Sequence, residues 1–403
     1  MLIKNASQLL TLKGGIRTGE TMKDLQIIED GAVAIEGEKI VKVGRTADVK
    51  GTGPIIDAEG KVVMPGFIDP HTHLIFDGTR EEEFLMKIEG KSYMEIMEAG
   101  GGIYYTVERT KKASKEHLKR NAVKTLDRML AFGTTTIEAK SGYGLDLETE
   151  IKSLECITEI QHPVERMATY LVHAVPRGFE GDYTDHVIKD ILPRAALLAK
   201  FVDVFCEKGV FTFEETRKIV EEARKYNLVP RLHVDEFSSG GAELAASLNC
   251  ISADHLENTT EKGIRSLAES QTIGILLPGT PFVLNSQYPQ ARKMIDAGVP
   301  LALATDFNPN CMTESMQFII SLACMKLRMT QAEAVSASTV NAAHALGRHD
   351  IGSLEVGNQA DINILEIPNY RHLGYHFGVN LVETIIKKGE LCNTAVVDSS
   401  RKE

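Results

Sequence analysis

The sequence contains no uninterrupted apolar stretch near the ~18 residues that a membrane-spanning helix requires. Its opening, MLIKNASQLLTLKGG, is too polar in its middle for a signal-peptide core, so a cytoplasmic protein is expected. Six cysteines (Cys156, Cys206, Cys250, Cys311, Cys324 and Cys392) are scattered without a single CxxC pair. A disulfide framework and a thiolate zinc knuckle both lack their spacing, and these cysteines read as small buried hydrophobes. A basic excess is missing too. Lysine plus arginine total 45 against 56 for aspartate plus glutamate, a net charge of −11. Nucleic acid and anionic membrane, which need a basic footprint, are therefore not expected partners. There is no internal repeat and no low-complexity segment.

What remains is ordinary globular composition, 43% hydrophobic and 25% charged, over 403 residues. At about 150 residues per domain that length suits two or three domains, or one large barrel with an accessory domain. The first 65 residues are short β-rich runs punctuated by Gly, Asp-Glu and Lys, with Glu36-Gly37-Glu38-Lys39 a plausible hairpin turn. The tail from 353 repeats that texture around 361–364 and 381–388. Because chain termini tend to lie close together, residues 1–65 and 353–403 are expected to form one small β-sandwich domain.

Residues 66–352 alternate instead. Short apolar runs recur at 62–69, 134–139, 167–173, 201–206, 229–234, 251–255, 272–277 and 301–305. Helical periodicity lies between most of them, at 115–130, 147–160, 213–225, 240–248, 262–269 and 289–297. Eight such βα units predict an α/β fold, a parallel (β/α)8 TIM-like barrel whose active site sits at the carboxyl ends of the strands.

The residues just past each run test that idea. The first run ends in His71-Thr72-His73, the second near Glu138 and Lys140, the third at His173. The fifth ends at His233 with Glu236 three residues on, the sixth at His255 and the eighth at Asp306. A lone histidine at a strand end is more often structural; five of them at the same end of one barrel point to a site. His71 and His73 are two apart, so in an extended chain both imidazoles reach one cation. His233 and Asp306 complete a three-histidine, one-aspartate set that leaves a position open for water, as catalytic metal sites do. Zinc and iron both suit such ligands.

The segments PGFIDPHTHL, HVDE, SADHL and ATDFNP, in that order, resemble the landmarks of the metal-dependent amidohydrolase superfamily. Within it the chain is similar to the imidazolonepropionase family through DPHTHLIFDGTREEEF, GKSYMEI, AGGGIYYTV, FGTTTIEAKSGYGLD, TYLVHAVP, LLPGTPF and LATDFNPN. That resemblance implies metal-dependent hydrolysis of the ring amide of 4-imidazolone-5-propanoate in histidine degradation. It implies one metal per subunit, Zn2+ or Fe3+, held by His71, His73, His233 and Asp306, and a small substrate with a carboxylate tail. Asp306, Glu236 and His255 would share the proton transfers, and His173 would meet the developing oxyanion or the ring. Arg80 would hold the carboxylate, since a guanidinium fork matches it bidentately. Tyr143 would contact the ring, with Asn308, Asn310 and Cys311 on a neighbouring loop. Here the chain departs from the family, which usually has glycine at 310 and serine or threonine at 311. Superfamily members are often dimers, so a homodimer is possible. A ring deaminase of the same superfamily shares the histidine and aspartate landmarks and would betray itself by releasing ammonia.

Overall fold

The computed structural model describes residues 1–91, 95 and 101–392. Of the family-like segments, most of GKSYMEI and the first residues of AGGGI lie outside the described residues.

Eight parallel strands form one sheet in sequence order: β1 (Phe67–Asp69), β2 (Thr134–Lys140), β3 (Glu165–Val172), β4 (Phe201–Cys206), β5 (Val229–Val234), β6 (Ser252–His255), β7 (Ile273–Leu276) and β8 (Leu301–Leu303). Nearly every strand residue is buried, as expected where helices cover the outside and side chains fill the inside. The intervening helices match the periodic segments closely: Lys115–Ala131, Leu147–Glu159, Phe213–Lys225, Gly241–Ser247, Glu261–Ala268 and Ala291–Asp296. Most begin at a side-chain cap that satisfies an orphan backbone N–H, as Ser114, Asp146, Thr212 and Thr260 do.

Between β8 and β1 the barrel is closed largely by side chains. Asp69 accepts hydrogen bonds from the backbone N (3.1 Å) and Oγ1 (2.5 Å) of Thr305. Just beyond, Thr72 bridges Phe307 in parallel, and His73 N donates to Phe307 O at 2.8 Å. This closure brings the first and last site segments together.

Strands from both ends of the chain build a second, eight-stranded sheet: Leu2–Leu10, Ile27–Glu36, Lys39–Arg45, Ile55–Asp57, Val62–Pro65, Ile362–Leu365, Val382–Lys387 and Glu390–Cys392. Edge strand Lys39–Arg45 also hydrogen-bonds the 357–360 segment that leads into Ile362–Leu365. The sheet therefore curls around its own apolar interior, which includes Ile3, Val33, Ile40, Val63, Ile362 and Ile386.

The apolar run 62–69 reads as one strand but divides at Gly66. Val62–Pro65 pairs with Ile362–Leu365 and Leu2–Leu10, whereas Phe67–Asp69 pairs with β2. A Cβ on residue 66 would lie 2.4 Å from Thr135 Cγ2, so only glycine lets the chain cross so close to β2.

Candidate active site

The carboxyl ends of the strands converge as the alternation predicts. His71 and His73 follow β1, His173 follows β3, His233 sits near the end of β5, His255 ends β6 and Asp306 follows β8. His73 Nε2 lies 3.4 Å from Asp306 Oδ1 and 3.5 Å from His233 Nε2; His71 Nε2 lies 3.6 Å from the same Asp306 oxygen. Two buried triads can each gather three ligand atoms within 4.8 Å: His71, His73 and Asp306, and His71, His233 and His255.

Carboxylates one layer deeper in the barrel orient these imidazoles. Asp254 Oδ2 is 2.6 Å from His71 Nδ1, and Asp203 Oδ2 is 2.9 Å from His233 Nδ1. Asp254 accepts Nδ1–H of His71, and Asp203 sits as a close ionic neighbour of His233 Nδ1, so Nε2 of each ring is turned to the common centre, the arrangement usual behind metal-binding histidines. His71 Nε2 is buried and has no hydrogen-bond partner among the described residues, so a cation at the centre fits it. Burial pushes His71 far below the ordinary imidazole range and His233 down to about 3, so both rings are neutral, as ligands must be. For Asp306 burial acts in the opposite direction, but the His73 hydrogen bond and the His255 charge keep its carboxyl well below the usual range. Thr280 Oγ1 donates to the other Asp306 oxygen.

The deeper layer is itself ionic and fully buried. Lys140 Nζ bridges Glu138 (2.9 Å) and Asp203 (2.7 Å), and Arg231 Nη2 reaches Asp254 at 2.8 Å and Pro70 O at 2.7 Å. Charges this deep persist only when paired. Asp203, Asp254, Arg231 and Thr280 escaped the sequence reading, although a charge inside a continuous apolar run was a visible signal for the first three.

Around the metal-type centre stand the remaining candidates. Glu236 Oε2 is 3.8 Å from His255 Nε2. Burial raises the Glu236 carboxyl. His255 is raised although burial opposes it, because Glu236 and Glu257 flank the ring. Glu207, at the end of β4, fixes the loop bearing Glu236 by accepting from the backbone N of Glu236 (2.7 Å) and Ser238 (2.9 Å). Tyr143 lies with its ring 5.8 Å from that of His73 and 5.3 Å from that of His173. Glu150 holds its loop through the backbone N of Gly142, Gly144 and Leu145. Gly142 has φ +107° and presses on Leu171, which explains the glycine before the tyrosine. Burial drives His173 far below its usual range, so it is a neutral ring whose Nδ1–H donates to Gly142 O at 3.2 Å.

Arg80 lines a cavity of about 500 Å³ between the segments that follow β1 and Asp306, shared with Lys87, Asn310 and Met312. Its Nε donates to Thr106 Oγ1 at 2.9 Å and lies 3.8 Å from Glu83 Oε1. Glu83 in turn accepts from Gly102 N at 2.7 Å, which ties Gly102 to the arginine's neighbour. Arg80 is thus held at the cavity rather than solvated in the charged run that follows it. Lys87, a second cation not anticipated from sequence, donates to Asn310 Oδ1.

The loop after Asp306 gives a mixed outcome. Asn308 Oδ1 accepts from the backbone N of Asn310 (2.7 Å) and Cys311 (3.2 Å), and Asn308 Nδ2 donates to Asp306 O, so this side chain shapes the turn. Asn310 is not among the residues with positive φ; Asp306 takes that conformation instead, at φ 51°. Asn310 faces the cavity, while the Cys311 thiol is buried against the Thr305 carbonyl at 3.7 Å and is not brought to the others.

The sequence profile of the Amidohydrolase family matches residues 62–392. Proteins named imidazolonepropionase are similar along the whole chain. That of Alkaliphilus metalliredigens is 46% identical, covering 100% of this chain and 99% of the relative. That of Geobacillus kaustophilus is 48% identical, covering 97% of each. Among solved structures, a 5-methylcytosine deaminase from Klebsiella pneumoniae superimposes with TM-score 0.76 at 16% identity over 98% of each chain. A zinc-containing atrazine chlorohydrolase from Arthrobacter aurescens gives 0.74 at 18% identity over 97% of this chain and 94% of its own. These two share the barrel-and-sheet fold. No helix among the described residues is long and apolar enough to cross a membrane. The near-full-length identity and the metal-type centre agree: the chain belongs to the amidohydrolase family and, within it, to the imidazolonepropionases.

Proposed function

We propose that this chain is a metal-dependent hydrolase that opens the ring amide of 4-imidazolone-5-propanoate, giving N-formimidoyl-L-glutamate. The observation that carries this reading is the convergence of three imidazole Nε2 atoms and one carboxylate at the carboxyl ends of the barrel strands. His71, His73, His233 and Asp306 would hold one Zn2+ or Fe3+. Such an ion lowers the pKa of water from 15.7 to about 7 and polarises a carbonyl, which is what attack on a lactam at neutral pH demands.

The chain's own groups divide the remaining work. Asp306, kept ionised, accepts the proton released by the attacking water. His255, flanked by the carboxyl groups of Glu236 and Glu257, donates from Nε2 to the carbonyl oxygen as negative charge builds there. Glu236, kept protonated by burial, delivers the proton to the ring nitrogen as the C–N bond breaks. Arg80 binds the propanoate, and Tyr143 and His173 border the ring. General acid–base help of this kind contributes roughly 10²–10⁴-fold.

The test is turnover of 4-imidazolone-5-propanoate generated in place from urocanate, followed by loss of its ultraviolet absorbance, with ammonia assayed in parallel. Decay faster than the spontaneous rate, without ammonia, and abolished on metal removal is expected. Release of ammonia would identify a ring deaminase instead. No acceleration by metal-replete protein would discard the proposed substrate.

A further inference from the structure

Three carboxylates near the site hold its loops by accepting from backbone amides. Glu150 does so for 142–145, Glu207 for 236–238, and Asp235 for Gly241 and Ala242. Glu257 differs. It is 5% exposed, and neither of its carboxylate oxygens has a hydrogen-bond partner among the described residues. Burying a carboxylate with nothing to accept from is unfavourable, and an apolar side chain would serve the fold better.

Its ion-pair neighbour is His255. Glu257 Oε2 lies 3.7 Å from His255 Nδ1, and Glu236 Oε2 lies 3.8 Å from Nε2 on the opposite edge of the ring. The imidazole is therefore flanked by a carboxyl group on each nitrogen. The backbone is bent to achieve this. His255 has φ 85° and Leu256 φ 70°, two successive left-handed residues without a glycine. Such conformations are strained and persist where the surroundings enforce them, often at functional sites. Here the bend is held by Leu256 N on Val234 O (3.2 Å) and Asn258 N on Asp235 O (2.7 Å). It turns the chain just past β6, and residue 257 lies against the ring of residue 255.

We propose that Glu257 is a positioning residue for His255. Its carboxyl packs as an ionic neighbour against Nδ1, fixes the ring plane, and turns Nε2 to Glu236 and to the carbonyl side of the substrate. The assignment rests on the reading of His255 given above as a donor in the ring-opening reaction. Glu257 itself touches neither substrate nor metal.

The test uses the full-length zinc-loaded protein with ¹⁵N-labelled histidine, the His255 signals assigned by their loss in His255→Gln. Glu257→Ala is expected to move the His255 Nδ1 resonance and to lower kcat roughly 10–100-fold, with KM within about threefold and zinc content unchanged. Glu257→Gln keeps an acceptor oxygen at nearly the same place and is expected to recover much of both. It also serves as the readable variant if Glu257→Ala does not fold. An unchanged Nδ1 resonance overturns the proposal even where kcat falls, because a purely structural role would leave the ring untouched. An unchanged kcat overturns it as well. The resonance needs no substrate, so failure of the parent protein to turn over 4-imidazolone-5-propanoate would count against the proposed reaction and not against the contact.

Discussion

A histidine binds a cation through one nitrogen only while its other nitrogen carries the proton, and side chains that touch neither cation nor substrate make that choice here. Asp254 and Asp203 stand behind His71 and His233, and Arg231 and Lys140 stand behind the two aspartates. Asp254→Asn should weaken metal binding about 10–100-fold, read by competition with a chromogenic chelator, and lower stability by leaving Arg231 without its direct partner. His71→Ala should lose bound metal and activity together. Arg80 belongs to a different task. Its replacement by alanine removes charge-assisted hydrogen bonds of about 1.5–3 kcal/mol, so KM should rise roughly 10–100-fold with metal content unchanged. Metal loss in Arg80→Ala would refute its placement at the carboxylate. The histidines and Asp306 stand out in the sequence by their types and strand-end positions, whereas Arg80 was singled out only through the resemblance to the family. The supporting aspartates do not stand out, because each sits on a strand of its own and acquires meaning only from the neighbour it faces.

At the scale of elements, the handover from terminal sheet to barrel takes place in a single residue. Pro65 still pairs with Ile362, and Phe67 already pairs with Thr134. Gly66→Ala would drive a methyl group into Thr135, and overpacking of that kind costs about 1–3 kcal/mol. A lowered urea midpoint with an unchanged m-value is expected, and a midpoint equal to the parent's would show that Thr135 can give way. The run 62–69 reads as one strand because hydrophobicity does not record which sheet a residue joins. Six of the barrel helices, by contrast, were recoverable almost to the residue, since a 3.6-residue period and a Ser, Thr or Asp cap are local properties, whereas helices such as Ile103–Lys112 and Met316–Lys326 were not singled out.

Across the whole molecule, the terminal sheet meets the barrel through a compact ionic cluster. Lys387 Nζ lies 2.6 Å from Glu165 Oε2 and 2.7 Å from Asp361 Oδ2, and Gln359 donates to both carboxylates. Glu165 opens β3, so this contact is at the amino-terminal end of the barrel, opposite the site. Burial alone would raise the Glu165 carboxyl, but Lys387, Gln359 and Arg348 bring it down from 4.5 to about 2. A depressed carboxylate stabilises the fold above its unfolded value, and that contribution is lost as pH falls from about 4.5 toward 2. It amounts to at most about 3 kcal/mol, and Glu165→Gln should flatten the acid side of a pH–melting-temperature profile. A variant profile as steep as the parent's between pH 5 and 3 would place the acid sensitivity elsewhere.

By itself the sequence determined the eightfold alternation, the β-rich ends and the residue types at each strand end, because periodicity, caps and turn residues act over a few neighbours. The tertiary structure alone decided which groups face one another. His71 meets Asp254 across 183 residues, and His233 lies level with Asp254 because β5 and β6 pair in that register. The same pairing sets Arg231 beside Asp254, Lys140 reaches Asp203 across the barrel from β2, and the bend after β6 brings Glu257 to His255. Register and barrel closure are long-range properties, fixed only when all eight strands pack at once, and the local pattern of hydrophobic and polar residues does not encode them.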